Sequence, residues 1–302
     1  MKLPVGRGAE SPVDGRVLIV GAGYLGRVVA RRLLRQGAAV SLVTRNPDRA
    51  SAVTQALGVP CDALDLGDPN CEPRLAALAA KASKALFLLP PSGCVGADGS
   101  LQPLVTACAA LASVPHAVLS SSTAVYGDHA GAVVDAETAC QPVGERSARL
   151  LAIEQGWLAQ PGRALVRLAG LYGPGRVIGQ AGLLAGAPVA GDPDGWLNLL
   201  HVEDAATLLL ACLRDEGAAA IELGSDGRPC TRRAYYAHLA AQLGLDVPRF
   251  TGGESPRGAG SRRCDPASTR RRTGWMPGYT DFRAGLAQAL PAARPHSTMN
   301  CP

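Results

Sequence analysis

The sequence predicts an α/β protein, a doubly wound parallel sheet carrying a smaller C-terminal substrate lobe. Three observations predict it. Short, continuously apolar runs alternate with helix-period segments from Arg16 onward, the pattern of buried parallel strands covered by helices on both faces. The first run, Val17-Leu18-Ile19-Val20, passes through Gly21-Ala22-Gly23-Tyr24-Leu25-Gly26 into an amphipathic segment ending at Leu34. That is a strand–glycine turn–helix unit of the Rossmann type. Past Tyr172 the alternation weakens and Gly/Pro breaks multiply, as in a lobe laid over the carboxyl ends of the strands.

The bulk numbers agree. A chain of 302 residues can bury a large core and still carry an appended lobe. Its 47% hydrophobic and 18% charged content is that of a folded protein, not a disordered one. A formal charge of +5 suits anionic small molecules, and no basic face interleaved with aromatics points to nucleic acid. No apolar run reaches the roughly 18 residues of a membrane span. Nine cysteines include no CxxC pair, so zinc-finger spacing is absent and no metal is expected. Their odd number and the lack of a signal peptide predict reduced thiols and a cytoplasmic location.

Residues 1–14 are rich in Gly and Pro and read as a flexible leader. Strands follow at Val17–Val20, Val40–Thr44, Ala85–Leu89, Ala117–Ser120 and Ala164–Leu168. Helices are expected at Tyr24–Leu34, Leu101–Leu111 and Ser147–Leu158, and again at Glu203–Leu213 and Arg232–Leu243. The nucleotide-binding domain is accordingly placed at 15–175, with 200–217 returning to it. A smaller capping lobe spans 176–290, and 291–302 is a flexible tail. The Arg-rich stretch from Arg257 to Arg272 reads as solvated surface or a flap over phosphate.

Each glycine of the first turn has a task. One makes the tight turn, one lets a pyrophosphate approach the backbone, and one seats helix on strand. Gly21, Gly23 and Gly26, with Tyr24 and Leu25 at the helix start, are therefore candidate cofactor contacts. The second strand selects the dinucleotide. Arg45 stands where an Asp or Glu would hold the ribose 2′-hydroxyl of NAD. A guanidinium there attracts a 2′-phosphate, so the cofactor is read as NADP(H), with Asn46 or Arg49 as possible helpers.

Further segments carry a resemblance. Gly21–Gly26, Ser120-Ser121-Ser122-Thr123-Ala124-Val125-Tyr126-Gly127, Arg167 to Pro174 and Leu200-His201-Val202-Glu203-Asp204-Ala205 follow in this order. Together they resemble the extended and atypical short-chain dehydrogenases/reductases, the superfamily of NAD(P)-dependent epimerases and dehydratases. The closing segment Thr273–Tyr279 and the GxGxxG turn are similar to an atypical subgroup that includes the bacterial YeeZ proteins. The resemblance implies a catalytic hydroxyl at Ser122. It also implies Asp65 and Leu66 at the adenine, Leu89 and Pro90 at the nicotinamide ribose, and Ser120 and Leu168 beside the cofactor. Tyr172, His201 and Trp196 would face a small-molecule substrate, unless His201 and Asp204 form a buried, hydrogen-bonded polar pair that closes the core, and such a protein is expected to form a homodimer.

One departure matters most. The superfamily's catalytic YxxxK precedes a glutamate by four residues, and Glu154-Gln155 fit that end. The lysine position is then Leu150 and the tyrosine position Arg146, and 143–156 contain neither Tyr nor Lys. An arginine stays protonated and cannot act as base, and leucine supplies no field. Losing general acid–base help costs roughly 10²–10⁴ in rate.

Three outcomes fit. The protein moves a hydride between NADPH and a carbonyl or imine, with Ser122 and Arg146 stabilising the oxyanion. The proton then comes from Tyr126 (the preferred candidate, one turn beyond Ser122), Tyr172, His201 or water. Alternatively the site performs a redox-neutral isomerisation, epimerisation or cyclisation. Or the protein senses NADP(H) without turnover.

Overall fold

Alternation along the first strand separates two helical layers. In β1 (Arg16–Val20), Val17 and Ile19 join one apolar cluster while Leu18 and Val20 join the other, and all four are buried. The structure, a computed structural model, describes residues 13–215, 220–253 and 261–290. The strands continue with β2 (Ala39–Thr44), β3 (Cys61–Ala63), β4 (Lys84–Phe87), β5 (His116–Ser122), β6 (Val133–Val134) and β7 (Arg163–Leu168). They end with β8 (Gly170–Tyr172), β9 (Trp196–Leu197), β10 (Leu199–His201), β11 (Ile221–Gly224), β12 (Cys230–Thr231) and β13 (Arg263–Cys264). Seven of them form one sheet in the order β11-β7-β5-β4-β1-β2-β3, and every neighbouring pair is parallel. This is the doubly wound Rossmann-type sheet that the sequence predicts.

The crossovers are α1 (Tyr24–Arg35), α2 (Pro47–Leu57), α3 (Cys71–Ala79), α4 (Gln102–Ala110) and α5 (Glu145–Leu158). After them come α6 (Gln180–Leu184), α7 (Val202–Arg214), α8 (Arg232–Leu243), α9 (Ala267–Thr273) and α10 (Phe282–Ala289). One layer packs Val28, Val29 and Leu33 of α1 and Leu208 and Leu209 of α7 onto the sheet. The other packs Leu75 of α3, Leu104 of α4, and Ile153 and Trp157 of α5. Trp157 is fully buried, stacks on Phe87 at 5.2 Å and donates its indole N–H to the Ala164 carbonyl at 2.9 Å. Burying such a side chain contributes about 1.5–3 kcal/mol.

A third apolar cluster lies outside these two layers. Tyr172, Ile178, Leu183, Leu199, Tyr235 and Leu286 pack together between α6, α8 and α10. Two short pairings extend it, β8 with β10 and β9 with β12, while β6 pairs with β13 at a fourth cluster where Val134 and Cys264 pack with Tyr126 and Leu150.

The sheet draws on more of the chain than the sequence assigns to it. Ile221–Gly224, placed by sequence in the capping lobe, forms the edge strand β11 beside β7. Its Glu222 disguises it: the carboxylate is buried by Arg272 (2.9 Å) and the Thr269 hydroxyl (2.5 Å), partners some fifty residues onward. The described part of the Arg-rich stretch is likewise tied down. Arg262, Arg263 and Arg270 donate to the Gly127, Gly131 and Asp226 carbonyls. Of the expected leader, Val13 is buried against the core and the Asp14 carbonyl accepts from Ser83, whereas residues 1–12 lie outside the described residues. So does the expected tail, 291–302. Among the described residues no helix is long and apolar enough to cross a membrane.

Candidate dinucleotide and active site

Because the seven strands are parallel, their carboxyl ends share one edge, and the residues just past them meet there. Across that edge stand Asp65 after β3, Arg45 after β2, Gly21 after β1, Leu89 after β4, Ser122 closing β5 and Leu168 closing β7. Strand order reverses between β1 and β4, and such a switch point is the crevice where open α/β sheets take ligands. At about 4.8 Å per strand, Arg45 and Ser122 lie about 14 Å apart along the edge, within reach of an extended dinucleotide.

The glycine turn is built for close approach. Gly21 has φ +116°, and a Cβ there would come within 2.8 Å of the Leu88 carbonyl. A Cβ on Gly26 would overlap the Gly21 carbonyl oxygen, so α1 can seat this closely only on glycine. A Cβ on Gly23 would meet nothing within 4 Å, which leaves open space before that stretch of backbone. No side chain caps α1 and no acid stands in its first turn. Its leading N–H groups and positive dipole end therefore await an anion, and the cradle fits a pyrophosphate.

Arg45 is exposed at the end of β2 and makes no hydrogen bond or ion pair with another described residue. Asn46 is committed elsewhere, since its side chain accepts the Arg49 N–H at 2.9 Å and caps α2. Asp65 is exposed and accepts the Gly67 N–H at 3.1 Å, while Leu66 is buried beneath it. Leu89 is half-buried and Pro90 exposed at the start of a 3-10 turn. Ser120 lies half-buried two residues inside the end of β5, opposite Val166.

Ser122 is half-buried at the last position of β5. Its Oγ accepts the Ala124 N–H at 3.2 Å, which orients the hydroxyl and leaves its proton to donate. Arg146 is exposed in the first turn of α5, and Leu150, one turn on, is buried beside Tyr126. Trp196 is half-buried, with the Arg263 guanidinium 5.5 Å from its ring centre.

Three expected mouth residues stand elsewhere. Tyr126 is fully buried, and its hydroxyl accepts from Arg167 at 3.2 Å. Burial pushes its pKa up, so it is a packed tyrosine and not a proton donor at the mouth. Tyr172 is fully buried too, edge-on to His201 at 5.3 Å and pressed against Gly285 of α10. Burial likewise raises its pKa. His201 caps α7: its Nδ1 accepts the Glu203 N–H at 3.3 Å, which leaves Nε2 to donate to Gln288 Oε1 at 3.0 Å. Burial lowers its pKa to about 4, so it is neutral at pH 7 and clasps α7 to α10. In each case an aromatic ring that could serve chemistry or packing went to packing.

The model of the NAD dependent epimerase/dehydratase family matches residues 17–224. The chain belongs to this family. Comparison with the curated proteins gave no match. Among solved structures, a conserved protein of unknown function from Silicibacter pomeroyi DSS is similar at 29% identity and TM-score 0.73, over 90% of this chain and 96% of its own. UDP-glucose 4-epimerase from Thermotoga maritima, solved with UDP-glucose, is 17% identical at TM-score 0.75, over 91% of this chain and 97% of its own. The dTDP-glucose 4,6-dehydratase from Bacillus anthracis, solved with NAD, is 15% identical at TM-score 0.76, over 91% and 95%. The last two share the fold.

Within this family member, buried polar groups brace the structure, and sequence reasoning missed what Glu154 and Asp226 do among them. Glu154 holds Arg167 at 2.8 Å and takes the Ser121 hydroxyl at 2.5 Å, directly beneath Ser122. Asp204 accepts the Gly278 and Tyr279 N–H groups at 2.7 and 3.0 Å, and burial raises its pKa to about 6. Asp226, just past β11, is buried, and burial raises its pKa to about 7. Among the described residues no group of three or more His, Cys, Asp or Glu could hold a metal.

Proposed function

We propose that this protein is an NADP(H)-dependent oxidoreductase of the atypical short-chain type, reducing a carbonyl or imine of a small metabolite without a Tyr/Lys pair. One observation carries the reading: the guanidinium of Arg45, the uncapped glycine cradle and the Ser122 hydroxyl succeed one another along a single sheet edge. Gly21–Gly26 would hold the pyrophosphate, Arg45 the 2′-phosphate, and Asp65 and Leu66 the adenine. When bound, the nicotinamide gives or takes a hydride. Ser122 donates a hydrogen bond to the substrate oxygen as charge develops there, a contribution of about 10²–10³ in rate. Arg146, exposed on the first turn of α5, clamps a carboxylate or phosphate on the substrate. With Tyr126, Tyr172 and His201 buried, water is the remaining source of the proton.

Two measurements test this. Arg45→Asp should weaken NADPH about ten- to a hundredfold and leave NADH nearly unchanged by calorimetry, since a charge-assisted bond contributes about 1.5–3 kcal/mol. Equal losses for both dinucleotides would remove the 2′-phosphate assignment. With a carbonyl that supports NADPH oxidation, Ser122→Ala should lower kcat about 10²–10³-fold while NADPH affinity stays put. An unchanged kcat would take Ser122 out of the chemistry.

A second reading has its own support. Leu150 is buried and neither helix position carries an acid–base group, while the nucleotide cradle is intact. A redox-neutral epimerase-like enzyme would convert its substrate with no net change at the nicotinamide absorbance. A protein that senses NADP(H) would bind it and turn over no carbonyl in a broad panel.

A further inference from the structure

The segment Gly173-Pro174-Gly175-Arg176 leaves β8 and folds back on itself beside the glycine turn. Gly173 and Arg176 exchange both backbone hydrogen bonds, at 3.0 and 2.9 Å, which closes a two-residue hairpin. The hairpin is pressed onto α1. A Cβ on Gly173, whose φ is +150°, would come within 2.8 Å of the Tyr24 hydroxyl and of Val202. The Arg176 guanidinium then lies 5.6 Å from the centre of the Tyr24 ring, and Tyr24 is the first residue of α1.

Two independent features make this arrangement incomplete without an anion. The Arg176 side chain is exposed and makes no hydrogen bond or ion pair with another described residue. The α1 start beside it has neither a capping side chain nor an acid in its first turn. A guanidinium and a positive helix end thus converge with no negative charge between them. The carboxylate that acts on Tyr24, Glu203, is held by Arg32 at 2.7 Å. A guanidinium resting on an aromatic face keeps its in-plane N–H groups available, the geometry that takes two oxygens of a phosphate.

We propose that Arg176 is a second anchor for the cofactor diphosphate, set beside the glycine cradle. The proposal rests on the dinucleotide reading above. It differs from the role of Arg45, which acts at the far end of the adenosine and only on a 2′-phosphate.

Calorimetry with NADPH, NADH and adenosine 2′-monophosphate separates the two arginines. Arg176→Ala should weaken NADPH and NADH by the same factor, about ten- to a hundredfold, and leave the monophosphate (which has no diphosphate) unchanged. Arg176→Lys should recover part of the loss, because charge returns without the flat fork. Arg45→Ala should show the opposite pattern, weakening NADPH and the monophosphate but not NADH. An Arg176→Ala protein that binds both dinucleotides like wild type overturns the proposal, as does an equal loss for the monophosphate. If wild type itself binds neither dinucleotide, the cofactor reading falls and this one with it. A matching melting temperature for the exposed-site variants confirms that folding is not what changed.

Discussion

Glu154→Gln should cost about 3–5 kcal/mol of stability, the largest effect expected of any single conservative change in this protein. Glu154 and Arg167 have side chains only 1% and 5% exposed. Both carboxylate oxygens are used: Oε2 accepts from Arg167 at 2.8 and 3.1 Å, and Oε1 accepts the Ser121 hydroxyl at 2.5 Å. A glutamine keeps one acceptor for Arg167 and turns a donor toward the Ser121 hydroxyl, which must then reverse to accept. It also leaves the Arg167 charge buried and uncompensated. At about 2–4 °C per kcal/mol for a domain of this size, the melting temperature should drop by about 10 °C. The control is the combined variant Glu154→Leu, Arg167→Met and Ser121→Ala, which removes both charges with their desolvation and should regain most of the loss. A drop under about 1 kcal/mol for Glu154→Gln would show that the pair does not brace the core. The consequence reaches the site, because the pair ties α5 and β7 to the residue preceding Ser122.

That pair also shows what a linear reading can and cannot see. Strands β1, β4, β5 and β7 were legible because burial on both faces demands unbroken apolar runs. The glycine turn was legible because its constraint is backbone geometry, which only one residue type satisfies. Glu154 served in the sequence as the mark that locates the YxxxK positions, yet its role is to neutralise Arg167, thirteen residues away. Partners at such distances leave no local pattern. Strand β11 was missed for the same reason: Glu222 looks solvated until Arg272 and Thr269 are folded against it. Tyr126, Tyr172 and His201 failed differently. Each sits close in sequence to a strand end, but a phenol or imidazole can turn inward, and the packing of α5, α10 and Tyr279 decides that.

Asp226→Asn should raise stability increasingly with pH, from almost nothing near pH 4 to as much as about 4 kcal/mol at pH 8. Asp226 is 3% exposed; its Oδ1 accepts the Arg228 N–H at 2.9 Å and its Oδ2 has no partner. Burial, with Asp281 and Asp204 nearby pushing the same way, raises its pKa to about 7, against about 3.9 in an unfolded chain. The sign follows. Below about pH 4 the group is neutral in both states and costs nothing. Between about 4 and 7 the unfolded chain releases a proton that the folded protein still holds, so stability falls as pH rises. Asp204, raised to about 6, adds to the decline over the lower part of that window. His201, lowered to about 4, works against it: the unfolded chain takes up a proton below about 6.5 that the folded protein refuses, so its contribution grows with pH up to there. These two largely offset, and the net slope near neutrality belongs to Asp226. Asparagine keeps the acceptor for Arg228 and never ionises. Denaturant midpoints for both proteins from pH 4.5 to 8 should therefore diverge steadily, and parallel curves would show that Asp226 ionises as freely in the fold as outside it.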